Sequence, residues 1–371
     1  MPVAPFFYSD NLLRYNMGPS HPMKPARLKL TFELLKCYGL TDTVLDVIAP
    51  SLADAAEVSN IHSPHFLEAL LAVQQGDRSI SPYRFGLGTG DNPIFEGIYN
   101  ASMLYTGASI QAASAVADGG ARVAFNIAGG LHHAHYERAA GFCVLNDCAL
   151  AISRLRRSYD RVAYVDIDVH HGDGVQELFY SDPSVLTLSI HERASGFFPG
   201  TGDVWEIGEG PGTGYSANIP VAPGATDEVW LNSWREAALP LLVAFNPDAI
   251  VLQMGADAHD LDPLAHISLT AQGWLEAIRD VKALNKPIVA IGGGGYNLTT
   301  TPRMWCLAIA ELAGAHVPDE VPDTYSQRLA MPTLYDHSFV DIGEEELDIA
   351  LTFSDAVVDD VKETLFRYHD I

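Results

Sequence analysis

Five short stretches of the chain are apolar almost without interruption: 121–127 (A-R-V-A-F-N-I), 161–167 (R-V-A-Y-V-D-I), 185–190 (V-L-T-L-S-I), 248–254 (D-A-I-V-L-Q-M) and 287–291 (P-I-V-A-I). Their length and β-branched content predict strands. The lack of a polar face predicts burial on both sides, as in a parallel sheet. Longer stretches with helical spacing surround them, at 26–38, 64–75, 94–118, 144–157, 227–245, 270–284 and 302–313. The alternation predicts βαβ units, and so an α/β fold with a doubly wound, mostly parallel sheet and helices on both faces. No internal repeat or low-complexity linker divides the 371 residues, so a single domain over 1–371 is expected.

Every predicted strand runs out into something polar or glycine-rich. The five exits are Ala128-Gly-Gly-Leu-His-His133, Asp168-Val-His-His-Gly-Asp-Gly174, His191-Glu-Arg193, Gly255-Ala-Asp257 and Gly292-Gly-Gly-Gly-Tyr296. In an open parallel sheet all such exits lie along one edge, where ligands bind. The second exit is the most informative. Asp166, Asp168 and His170 alternate, so on a strand they share one face. Three such groups near a core need a common partner, because buried charges are costly unless paired. Asp168 and His170, with Asp257 from a separate strand as a third donor, suit a catalytic zinc or another divalent first-row ion. Asp257 alone reads equally well as a helix N-cap.

The adjacent histidines His132 and His133 read either as a surface turn or, beside a metal cluster, as proton-transfer groups. Asp166 and Asp173 are then free to orient them. The glycine run 292–295 lacks the G-K-S/T of a P-loop. It allows close backbone approach instead and sets the Tyr296 hydroxyl in the cleft, where a phenol stabilises a developing oxyanion. Gly141-Phe142 and Gly196-Phe197-Phe198-Pro199-Gly200 are core packing by default, or the walls of a narrow tunnel fit for a lysine-like stem.

Composition narrows the setting. Aspartate and glutamate number 47 against 22 lysines and arginines, a formal charge of −25. That argues against nucleic-acid backbone and anionic membrane partners and is compatible with a cationic substrate. Cys37, Cys143, Cys148 and Cys306 are scattered, with no C-x-x-C, which predicts free thiols in a reducing compartment. The N-terminus carries no basic, apolar signal pattern, and no run is long enough to span a bilayer, so a cytoplasmic protein is expected.

Across roughly residues 6–313 the motifs taken together resemble the zinc-dependent histone deacetylase superfamily, in its class I and bacterial acetoin-utilisation branch. They are Ser20-His-Pro-Met-Lys-Pro-Ala-Arg27, G-G-L-H-H-A (129–134), G-F-C-V-L-N-D (141–147), D-I-D-V-H-H-G-D-G (166–174), G-F-F-P-G-T-G-D (196–203), Q-M-G-A-D (253–257) and G-G-G-G-Y-N (292–297). The resemblance implies the arginase/deacetylase fold and hydrolysis of Nε-acetyl-lysine in proteins, with zinc (or iron(II)) held by Asp168, His170 and Asp257. It implies His133 as general base and acid, His132 as its electrostatic partner, Asp166 and Asp173 as their supports, and Tyr296 as the carbonyl-polarising phenol. Gly141, Phe142 and Phe198 would wall the tunnel, with Leu264 at its rim and Asp91 holding the substrate backbone. Arg27 would line an inner cavity proposed for acetate exit. A structural potassium site would involve Asp166, Asp168, His170, Ser189 and Ile190, and a second, outer one Phe179, Asp182, Val185 and Tyr215.

Departures from the family pattern carry expectations of their own. Lys24 is retained, but Pro263 and Thr299 stand where the eukaryotic class I enzymes place arginines for inositol phosphate and corepressor, so neither partner is expected. Leu264 stands where the acetylpolyamine branch can place an acidic gatekeeper, which disfavours a polyamine substrate. The competing readings are an acetylpolyamine or small-amide deacetylase, a non-enzymatic acyl-lysine reader, and an arginase-type dimanganese hydrolase. The acidic segment from about 316 to 371 is left unassigned.

Overall fold

Apolar runs with no polar side can only be stable between two layers, and the five predicted strands take that position. The computed structural model describes residues 3–329, 332–338 and 340–371. Its centre is one eight-stranded sheet, parallel throughout: β1 (Ala4–Phe7), β2 (Leu45–Ile48), β3 (Val123–Asn126), β4 (Val162–Asp166), β5 (Val185–Glu192), β6 (Ser216–Val221), β7 (Ala249–Gln253) and β8 (Ile288–Ile291). The order is β2-β1-β3-β8-β7-β4-β5-β6. The five predicted strands are the contiguous block β3-β8-β7-β4-β5, and every residue of them is buried. Helices cover both faces, so the expected α/β architecture is the one observed.

The three unpredicted strands flank that block, and each has a reason to give a weak signal. β2 (L-D-V-I) is an outer strand with Asp46 and Val47 exposed. β1 (A-P-F-F) carries Pro5, and β6 (S-A-N-I-P-V), the other outer strand, carries Pro220 and two polar residues. Proline lacks the N–H of a ladder donor, so it masks a strand in sequence and is tolerated best at a margin.

Most helices fall where the periodicity places them, with shifted ends. The expected 94–118 helix is Ile98–Ala117, starting after Gly97, whose φ of 76° is left-handed. The expected 144–157 helix is Asp147–Leu155, because the Asn146 side chain caps it by accepting the Ala149 N–H. The 227–245 stretch is broken into Asp227–Ser233, a π-helical turn Trp234–Ala238, and Leu239–Phe245. Pro240 cannot donate to the turn before it, which accounts for the widening.

The acidic C-terminal segment also builds structure. Helix Glu344–Leu365 buries Ala350, Ser354, Val357, Val358, Val361 and Leu365, one stripe at helical spacing. It packs on β6 and on helix Asp227–Ser233, where Ser354 Oγ meets Ser233 Oγ at 2.6 Å. Upstream, Asp336 ties the segment to the core. It pairs with buried Arg303, accepts the Ala271 N–H at 2.7 Å and contacts His259 Nε2 at 3.1 Å. Burial opposes the Asp336 charge, but His259, the Ala271 amide and Arg303 hold its carboxyl well below the usual range. A depressed carboxyl pKa adds stability that is full above about pH 4 and is lost as pH falls through the folded value. Asp336→Asn is therefore expected to cost about 3 kcal/mol at neutral pH. Urea unfolding of both proteins should show the gap closing below about pH 4.

Candidate active site

Sheet register assembles the site. Asp166, the last residue of β4, sits beside Ser189 of β5 and Gln253 of β7. The exits of β4 and β7 therefore leave two neighbouring strands at one level, and Asp168, His170 and Asp257 converge. His170 Nδ1 lies 3.2 Å from Asp168 Oδ1 and 3.1 Å from Asp257 Oδ2. Donor atoms of the three side chains all fall within 4.8 Å of one another, and all three are buried. Their remaining oxygens are fixed by the scaffold. Gln253 Nε2 and the Gly294 N–H each donate to Asp168 Oδ2 at 2.7 Å, and the Val169 N–H donates to Asp257 Oδ1 at 3.0 Å. Asp257 caps no helix, since the next one begins at Ala271 behind Thr270.

The electrostatics of this cluster are those of a cation site. Burial pushes the Asp257 carboxyl up to about 7, and the negative charge of Asp168 adds to the shift. Burial pulls His170 down, but the two carboxylates outweigh it and raise the ring to about 10. Two carboxylate oxygens and one imidazole nitrogen, inward-facing and out of water, fit zinc or another divalent first-row ion.

The two histidines of the β3 exit face this cluster. His132 Nδ1–H donates to Asp166 Oδ2 at 2.7 Å, and Tyr164 OH donates to the same oxygen at 2.7 Å. His133 Nδ1–H donates to Asp173 Oδ1 at 2.7 Å, and the two Nε2 atoms lie 2.9 Å apart. The rings titrate in opposite directions. Burial lowers His132, but Asp166 and Asp168 outweigh it and raise it to about 9. Burial and the His132 charge lower His133 to about 4, against the pull of Asp173. A charged His132 thus lies against a neutral His133 whose one lone pair is at Nε2.

Aromatic side chains wall the approach. A cavity of about 410 Å³ is lined by His133, Gly141, Phe142, His170, Phe197, Phe198 and Tyr296, with Asp91, Leu264 and His266 among its outer residues. The Phe198 ring meets His133 edge-on at 4.8 Å, and Phe197 stacks on His170 at 5.0 Å. Phe142 meets Tyr296 edge-on at 5.7 Å. Gly141 has a φ of 48°, and a Cβ there would lie 2.5 Å from His133. The glycine run is likewise a close approach and not a phosphate loop. A Cβ on Gly294 would stand 1.9 Å from Asp257 Oδ2. The Tyr296 N–H donates to Asp262 Oδ2 at 2.7 Å. Burial, then Asp257 and Asp168, push its phenol well above 10, so it stays a donor.

A profile described as the histone deacetylase domain matches residues 21–312. The chain belongs to the histone deacetylase family. It is 40 % identical to the acetoin utilization protein AcuC of Bacillus subtilis, over 85 % of this chain and 84 % of that one. It is 39 % identical to histone deacetylase 9 of Arabidopsis thaliana, over 86 % and 75 %, and 37 % identical to human histone deacetylase 1, over 85 % and 66 %. It is thus a hydrolase of the deacetylase type.

The rest of the expected residues of this deacetylase can now be placed. Asp91 is at the mouth, its carbonyl 3.2 Å from His21 Nε2. Buried Arg27 donates to the carbonyls of Gly293 (2.7 Å) and Gly295 (3.1 Å), behind the glycine run. Of the inner potassium positions, Ser189 and Ile190 follow one another on β5 beside Asp166, near Asp168 and His170. Of the outer set, Phe179, Asp182 and Val185 span the turn into β5. Asp182 N–H donates to Phe179 O, Val185 N–H to Asp182 O, and Thr187 N–H to Tyr215 O. Pro263 and Thr299 bring no positive charge, and Thr299 is hydrogen-bonded to Asn297.

Three positions were missed as part of the site. Gln253 holds Asp168, and its polar side chain at the tip of an apolar run was the available signal. Asp262 accepts the amides of Tyr296 and Leu264, so it sets both the phenol and the rim. Asp147 accepts from Gly130 N, Leu131 N and Ser109 Oγ, fixing the loop that carries both histidines. The latter two lie inside quoted or adjoining motifs, but nothing in one sequence says which backbone amides they serve.

Proposed function

We propose that this deacetylase removes acetyl and other short acyl groups from the Nε of lysine in proteins. A single observation carries the reading. A neutral histidine held by Asp173 and a protonated phenol on a loop whose backbone is held by Asp262 face one metal-fit cluster at the end of an aromatic-walled cavity. That cavity suits a four-carbon stem. The full chain, residues 1–371, acts as one deacetylase domain, since the C-terminal segment packs on the same core. Among the described residues no helix is long and apolar enough to cross a membrane. The four free thiols support a reducing, cytoplasmic setting.

Asp168, His170 and Asp257 would hold the ion. When bound there, zinc (or iron(II)) supplies a Lewis acid that polarises the amide carbonyl and acidifies water. His133 takes the proton of the attacking water at Nε2, its Nδ1–H kept on Asp173. The Tyr296 hydroxyl faces the oxygen on which negative charge develops, and His132 contributes its positive charge from beside His133. His133 then returns its proton to the leaving amine. Potassium at the β5 positions would be structural.

Purified protein is expected to release acetate from acetyl-lysine peptides, with one divalent ion per chain. Chelation should abolish turnover and added zinc should restore it. Acetylated polyamines assayed beside the peptides decide between substrate classes. Faster turnover of the polyamines, or two ions per chain, would overturn the reading.

A further inference from the structure

Glu192 ends β5 with its side chain fully out of water and takes no part in the clusters above. Its carboxylate is committed to one residue. Oε2 accepts the His266 backbone N–H at 2.7 Å, and Oε1 meets His266 Nδ1 at 2.8 Å. A buried carboxylate is tolerated only when paired. Here one oxygen holds the backbone and the other the ring of a residue whose side chain is itself 66 % exposed. The His266 carbonyl is fixed as well, accepting the Gly224 N–H at 2.7 Å.

His266 lines the substrate cavity. Its ring meets Phe197 edge-on at 5.9 Å, and Phe197 stacks on His170. His266 is therefore the outer end of a row of rings that runs inward to the metal-fit cluster. A carboxylate only accepts, so the ring proton sits on Nδ1 and a neutral ring has its lone pair on Nε2. Among the described residues Nε2 has no partner.

We propose that His266 is a specificity-determining residue whose Nε2 accepts a backbone N–H of the chain bearing the acyl-lysine. Glu192 is the positioning residue that sets the tautomer. The inference rests on the acyl-lysine reading above and deepens it: the group read at the mouth is a peptide amide.

The test is steady-state kinetics on an acetyl-lysine peptide and two backbone N-methyl analogues, one methylated at the acetyl-lysine amide and one at the amide that follows. Wild type, His266→Asn and Glu192→Gln are compared. Asparagine keeps a donor near the Nδ1 position and has nothing at Nε2. His266→Asn should raise KM about fivefold, the loss of one neutral hydrogen bond, with kcat within twofold. One N-methyl peptide should show the same rise with wild type and no further rise with His266→Asn. In Glu192→Gln the amide donates to Nδ1, which moves the ring proton to Nε2 and opposes the substrate N–H. KM should then rise about tenfold, and exposed His266→Asn carries the test if the buried change harms folding. Unchanged KM in His266→Asn, or equal N-methyl losses in both proteins, would overturn the inference. Wild type that leaves the unmodified peptide intact would overturn the acyl-lysine reading, and this inference with it.

Discussion

His133→Ala is expected to lower kcat by about 10²–10⁴-fold while the metal content of the protein stays the same. The ring sits outside the Asp168–His170–Asp257 set, so its loss leaves those donors in place. Its removal takes away the one neutral imidazole facing the cluster. His132 cannot substitute, because Asp166 and Asp168 keep it charged, with a pKa near 9, and a charged ring has no lone pair to take a proton. Water can fill the space beside Asp173 but is a far weaker base than a neutral imidazole. Single-turnover rates beside metal analysis of the same sample check both halves. Turnover within tenfold of wild type would assign the base elsewhere.

Tyr296→Phe is expected to lower kcat by about 10²–10³-fold with a small change in KM. Phenylalanine keeps the ring, so the edge-on contact with Phe142 and the cavity wall survive. Only the hydroxyl is lost. Burial and the two nearby carboxylates keep that hydroxyl protonated, which makes it a donor across the working pH range. A donor aimed at a charge that exists only in the transition state changes the rate more than the binding. Equal losses in kcat and binding would mean that the hydroxyl holds the ground-state substrate instead.

The legible parts of this protein are those buried on both sides. The block β3-β8-β7-β4-β5 could be read directly because two apolar faces leave a continuous apolar string. β1, β2 and β6 escaped because proline or half-exposure breaks that string. The same division runs through the site. Asp168, His170, His132, His133 and Tyr296 stand at strand exits, where a polar group after an apolar run is conspicuous. Asp147 and Asp262 act on backbone amides of other loops, and Glu192 holds a residue 74 positions away. Such pairings depend on which loops the fold brings together, and no spacing rule encodes them. The acidic tail gave no assignment because its charges mask the single apolar stripe on helix Glu344–Leu365.

The strand order also bears on how the enzyme comes off the ribosome. β2-β1-β3 and β7-β4-β5-β6 are joined in the sheet only through β8, residues 288–291. The histidine pair belongs to the first group and the Asp168–His170–Asp257 set to the second. A nascent chain that has not yet produced β8 holds two half-sheets with open inner edges and two halves of an active site. The four glycines and Tyr296 emerge immediately after the strand that closes the gap. Catalytic competence is thus a late event in synthesis, reached in the same few residues that remove the last unpaired edges at the centre of the sheet.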